Sequence, residues 1–140
     1  MIKRHNEHPL YCYLDAAEIL EMKAIAQKIT YVAHEPIIQI GQRNRDILCL
    51  EEGIVSVQVE ASDGAVFEVT RLSEGSLIGE MNFVIPSRRT ANVVALNEVL
   101  VSVYPYQELV AILQKRPDLA HKIFAALNFQ LLKKYLGMIH

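Results

Sequence analysis

Apolar positions along this chain change their period twice. After Asp15-Ala16-Ala17-Glu18, a helix N-cap residue with a carboxylate three positions on, Ile19, Met22, Ile25, Ala26 and Ile29 recur at helical spacing. This predicts an amphipathic helix over residues about 15–29. From Tyr31 the pattern becomes a series of short β-rich runs, Ile37–Ile40, Ile47–Leu50, Ile54–Val59, Val66–Leu72, Asn92–Leu96 and Val99–Tyr104. Turn residues separate them at Gly41-Gln42, Glu51-Glu52-Gly53, Ser62-Asp63-Gly64 and Ser73-Glu74-Gly75. Val55, Val57 and Val59 alternate with Ser56, Gln58 and Glu60, as a strand with one dry face requires, and the Ser62-Asp63-Gly64 turn predicts a hairpin to Val66–Leu72.

Helical spacing returns at Gln107 and runs through Leu113. A second helix opens at Arg116-Pro117-Asp118, where proline suits the first helical position and the aspartate suits the positive end of the helix. Ile123, Phe124, Leu127, Leu131 and Leu132 form its apolar stripe, and Gly137 is the expected stop. The expected organisation is a single domain over 1–140: an N-terminal helix at about 15–29, a mainly β sandwich or roll at about 30–104, and C-terminal helices at about 106–137.

Composition narrows the functional classes. The 140 residues are 51% hydrophobic and 21% charged, with a formal net charge of -2, a balance that disfavours wholesale binding to nucleic acid or to an anionic membrane. The polar start, Met1-Ile2-Lys3-Arg4-His5-Asn6-Glu7-His8, has no apolar signal core, and no apolar run approaches the roughly 20 residues that span a bilayer. Cys12 and Cys49 have no metal-type spacing, and a reduced, cytoplasmic protein is expected. His5, His8, His34, His121 and His140 make no compact metal set, and neither a nucleophile elbow nor a P-loop is present. These motifs give no reason to expect catalytic residues, a metal site or a cofactor, and the expectation is that the protein is not an enzyme.

The densest chemistry lies in Leu77-Ile78-Gly79-Glu80-Met81-Asn82-Phe83 and the following Arg88-Arg89-Thr90-Ala91-Asn92-Val93. Gly79 lets the backbone turn closely, and the amides of Met81, Asn82 and Phe83 begin a short helix whose free N–H groups attract an anion. Arg89 offers a fork of donors suited to phosphate oxygens, and Glu80, an acceptor only, suits sugar hydroxyls. Successive side chains on a strand face opposite ways, so Arg88 is expected to be solvated. A plain salt bridge between Glu80 and Arg89 is the structural alternative, since buried unpaired charges are expensive.

In these residues the chain resembles the cyclic-nucleotide-binding domain family, of catabolite activator protein and kinase regulatory subunit type. The likeness is carried by Gly79-Glu80-Met81 and, nine positions after the glutamate, Arg89-Thr90-Ala91-Asn92-Val93. Gly41, the segment Leu50-Glu51-Glu52-Gly53-Ile54-Val55 and the helix start Pro117-Asp118-Leu119 support it. The resemblance implies an eight-stranded β-roll, a double-stranded β-helix of jelly-roll type, with an N-terminal and two C-terminal helices. It implies that Glu80 accepts the ribose 2′-hydroxyl, that Arg89 pairs with the cyclic phosphate of cAMP or cGMP, and that the backbone of Gly79, Met81, Asn82, Thr90 and Ala91 lines the phosphate pocket. Val57, Val69 and Leu77 become apolar contacts for purine or ribose, and Phe124, Leu127, Asn128 and Leu131 candidates for a helical lid over the base.

Thr90 leaves the choice between cAMP and cGMP open. Three features depart from the family pattern: Asn82 stands where a small residue is common, the turn Val84–Arg88 lacks the frequent glycine and a proline directly before the arginine, and Gln42 replaces an aspartate. The functional expectation is a ligand-binding sensor that signals through its C-terminal helices, with a possible homodimer or effector contact there. The chain is expected to carry no DNA-binding module and no membrane segment. The alternative is a β-roll interaction module that has lost nucleotide binding.

Overall fold

The computed structural model describes residues 3–137. Among them are eight strands in two four-stranded sheets, with an N-terminal helix and C-terminal helices, the fold expected from the sequence. In chain order the elements are α1 (Ala16–Ile25), β1 (Gln27–Tyr31), β2 (Pro36–Ile38), β3 (Ile47–Glu52), β4 (Val55–Glu60), β5 (Val66–Leu72), β6 (Leu77–Ile78), α2 (Glu80–Val84), β7 (Asn92–Ala95), β8 (Val99–Tyr104), α3 (Tyr106–Lys115) and α4 (Pro117–Leu131). A π-helical turn, Leu132–Leu136, follows α4, and Gly137 terminates it in the left-handed conformation. The chain forms two compact units: residues 28–103, and the flanking segments through Gln27 and from Tyr104.

The central unit is the β-roll. One sheet runs β1-β8-β3-β6 and the other β2-β7-β4-β5. Its core is aliphatic: Ile38, Leu48, Leu50, Val55, Ile78, Val93, Ala95, Val99, Val101 and Val103 pack together, with Val57 and Leu72 at the margin. Each such valine or leucine contributes about 1.5–3 kcal/mol when fully removed from water. The hairpin joins β4 to β5 where the Ser62-Asp63-Gly64 turn predicts it: Ala61 N–H donates to Ala65 C=O at 2.7 Å, and the Asp63 carboxylate accepts from Ala65 N–H at 3.0 Å. The pairing slips between Val57 and Gln58, so Val57 faces Thr70, Gln58 faces Glu68, and Val69 is the extra residue of a bulge. Strict alternation in β4 is not observed, because Ser56 is buried together with Val55 while Val59 is only half-buried.

In the flanking unit, Asp15 and Glu18 form the capping box expected from the sequence. Helix α1 is shorter than predicted. It ends at Ile25, and Ile29 lies in β1 rather than on a helical stripe. In α4 the buried positions are Leu119, Ile123, Ala126 and Leu127, so its stripe is rotated from the predicted one: Leu127 is core, whereas Phe124 and Asn128 are exposed. Glu18, almost fully buried, accepts from Lys122 Nζ at 2.8 and 3.0 Å, and Arg116 pairs with Glu21 and Asp118. Tyr11 and Tyr104 share a hydroxyl–hydroxyl hydrogen bond between edge-on rings. Among the described residues, no helix is long and apolar enough to cross a membrane.

Candidate functional site

The site lies within the central unit, where β6 runs into α2 and the chain returns through residues 85–91 to β7. Gly79 caps α2 with φ +82°, a left-handed conformation natural to glycine and costly for other residues. A side chain there is also excluded by contact. A Cβ on Gly79 would collide with Nη1 of Arg89, and it would lie 3.0 Å from both that residue's Cζ and the carbonyl oxygen of Asp46. The glycine makes room for the guanidinium.

Arg89 is buried, with 3% of its surface exposed, and Glu80 is at 1%. The backbone of Arg89 is pinned to the Gly41-Gln42 turn. Its N–H donates to Gln42 C=O and its C=O accepts from Gly41 N–H, both at 2.8 Å. From this anchor the guanidinium reaches four acceptors. Nη1 donates to the Gly79 carbonyl at 3.3 Å and to Asn82 Oδ1 at 2.9 Å; Nη2 donates to Asn44 Oδ1 at 3.0 Å and to the Asp46 carbonyl at 2.8 Å. Its Nε, fully buried, has no acceptor. Burial lowers the pKa of Arg89 from its ordinary value, while the nearby carboxylates of Asp46 and Glu80 oppose that shift. The guanidinium stays charged in any case, its unperturbed pKa being so high.

Asn82 and Arg45 brace the cassette. The Asn82 amide nitrogen donates to the Ser87 carbonyl at 3.2 Å, to Ser87 Oγ at 3.0 Å and to the Arg88 carbonyl at 3.2 Å, closing the turn after α2. Arg45 Nε donates to the Asn82 carbonyl at 2.8 Å and its Nη2 to the Phe83 carbonyl at 2.7 Å, so a cation sits at the negative end of α2.

Of the residues singled out in the sequence, Gly79, Glu80, Asn82 and Arg89 come together in and around this buried cluster. Met81, Thr90 and Arg88 are exposed and Ala91 is half-buried. Arg88 is exposed while Arg89 is buried, although both lie in the loop before β7 rather than on a strand, and Arg88 donates to the Gly41 carbonyl at 3.1 Å. Leu77 is buried in β6, Val57 packs at the edge of the roll core opposite Val93, and Val69 in the bulge is 51% exposed. Asn44, Arg45 and the Asp46 carbonyl were not singled out. Asn44 Oδ1 also accepts from Asp46 N–H at 2.8 Å, an Asx turn that Asn-x-Asp hints at, but its reach to Arg89 spans 45 positions of sequence.

The two-sheet β-roll thus sets a buried Glu80 and a buried Arg89 around the short, glycine-led helix α2. The profile of the cyclic nucleotide-binding domain matches residues 28–116, and the chain belongs to that family. Among solved structures it is similar to the N-terminal domain of a transcriptional regulator from Streptomyces coelicolor A3(2), at 26% identity over 100% of this chain and 99% of that one, with a TM-score of 0.79. The Thermus thermophilus catabolite activator protein shares the fold at 23% identity and a TM-score of 0.77, covering 93% of this chain but 61% of that protein. A cyclic nucleotide-binding domain from Methylobacillus flagellatus KT does so at 19% identity and a TM-score of 0.84, over 89% and 70% of the two chains. No curated protein matches the sequence.

Proposed function

We propose that the chain is a sensor for a cyclic purine nucleotide, cAMP or cGMP. In this reading Arg89 holds the cyclic phosphate and Glu80 a ribose hydroxyl, and the signal passes through the C-terminal helices. The observation that carries it is the buried Arg89 with an Nε that lacks an acceptor, close enough to the buried carboxylate of Glu80 to feel its charge. A buried cation with an unused donor is costly unless something completes it, and an oxyanion does so with a charge-assisted bond. Gly79, Met81, Asn82, Thr90 and Ala91 would line the phosphate side. Val57, Val69 and Leu77 are proposed apolar neighbours of the base or ribose, Val69 through the exposed face of its bulge.

A second reading has its own support. All four terminal hydrogens of Arg89 already have protein acceptors, which fits an interaction module whose site no longer admits nucleotide. Calorimetric titration of nucleotide-stripped protein with cAMP, cGMP and 5′-AMP separates the two. Saturable binding of a cyclic form in preference to 5′-AMP is the expected result. No heat from any of the three, on folded protein, would sink the sensor reading.

A further inference from the structure

We propose that Asn44 is a neutral placeholder on Arg89, its amide oxygen holding the position that a phosphate oxygen takes when nucleotide binds. The inference rests on the nucleotide reading and names the protein group that the ligand displaces. A guanidinium has five N–H hydrogens in a fixed plane, and its Nε–H and one Nη2–H point the same way along one edge. That edge is the side-on clamp for a phosphate. In this protein its Nε half has no acceptor, while Nη2 is held by Asn44 Oδ1 and the Asp46 carbonyl. An anion that pairs with this edge would complete Nε, which is buried until the cluster opens, and requires one Nη2 acceptor to give way.

The four acceptors differ in how easily they leave. The Gly79 and Asp46 oxygens are main-chain atoms and move only with the backbone. Asn82 is buried and tied through its amide nitrogen to Ser87 and Arg88. Asn44 sits on an exposed loop residue, and rotation of its side chain releases the arginine at the expense of one Asx-turn bond to Asp46 N–H. Its amide oxygen is uncharged. It satisfies Nη2 without adding a countercharge to the Asp46 and Glu80 carboxylates already near the guanidinium, while the competition it offers weakens binding.

The test uses the parent, Asn44→Ala and Asn44→Asp, each titrated with cAMP and cGMP and each melted without nucleotide. Asn44→Ala is expected to bind about threefold or more tighter, since an exchanged hydrogen bond no longer opposes the ligand. Asn44→Asp keeps the Asx turn but places a carboxylate on Arg89. It is expected to melt higher than Asn44→Ala when free, yet to bind at least about tenfold more weakly than the parent. This opposition of stability and affinity is not produced by a merely structural asparagine. Weaker or unchanged binding by Asn44→Ala, or parent-like binding by Asn44→Asp, overturns the placeholder while leaving the nucleotide reading in force if the parent binds. Binding by Asn44→Ala but not by the parent supports the placeholder in its strongest form. Failure of the parent and Asn44→Ala to bind either nucleotide overturns both.

Discussion

Gly79 and Arg89 occupy the same space in complementary ways: the guanidinium lies where a side chain on residue 79 would be. The left-handed φ of Gly79 adds a backbone cost of about 1–2 kcal/mol for any other residue. Gly79→Ala should therefore both destabilise the protein and push Arg89 off its acceptors. We expect a loss of about 2–4 kcal/mol in urea unfolding, strain and overpacking together, and lost nucleotide binding. Parent-like stability in this variant would show that the guanidinium has room elsewhere.

Arg89 and Glu80 should differ in what their loss does to ligand binding. Arg89→Ala removes a buried charged donor and is expected to weaken a cyclic nucleotide by at least about thirtyfold, from a cost on the order of 2–5 kcal/mol. Glu80→Ala removes hydrogen bonds to an anionic acceptor, worth about 1–3 kcal/mol. Arg89→Lys keeps the charge but not the fork, and should fall between parent and Arg89→Ala. The check is titration of the three variants, each first shown to be folded by circular dichroism. If Arg89→Ala bound as tightly as the parent, the phosphate would have to lie elsewhere.

What the sequence disclosed, and what it hid, follows from the range of the interactions. Local signals were legible: the Asp15–Glu18 capping box, the Asp63-Gly64 hairpin turn and strands such as Val66–Leu72 stand where composition and turn residues place them. Gly79 and Arg89 stand out by residue type together with the family resemblance, and the glycine does turn the chain against the arginine's fork of donors. Strand β1 was not, because Gln27–Tyr31 is largely exposed and carries no alternation, and Ile29 happens to extend the helical period of α1. Strand β6 has only two residues, too few for a pattern. The Asn44 contact arises from the pairing of the 41–46 loop with the return to β7. Only the register of the roll brings those segments together.

Glu18 offers a test of the flanking unit. One carboxylate oxygen accepts from the N-cap amide of Asp15 at 2.9 Å, and the same group receives Lys122. Glu18→Ala deletes half the capping box and leaves Lys122 without this partner, so we expect a loss of about 1–3 kcal/mol in urea unfolding. Glu18→Gln retains an acceptor for the cap and should lose less. Equal stability of all three proteins would mean that the ion pair and cap contribute nothing net.

Carboxylates of that same unit should contribute to the loss of stability in acid. The amide of Glu18 holds the Asp15 carboxyl below its ordinary value of 3.8, and hydrogen bonds from Arg116 hold Asp118 down to about 2. Both folded-state values lie below the unfolded ones, so the native state releases these protons more readily. Their stabilisation is fully present above about pH 4 and is lost as pH falls through the folded values toward about 2. The urea midpoint attributable to these groups should stay level from neutrality to about pH 5 and then decline. Asp118→Asn should flatten part of that decline while lowering the midpoint at neutral pH, because the Arg116 pair is gone. Asp15→Asn, still a competent N-cap, should flatten another part with little loss at neutrality. An acid limb unchanged in both variants would place the titrating groups elsewhere in the chain.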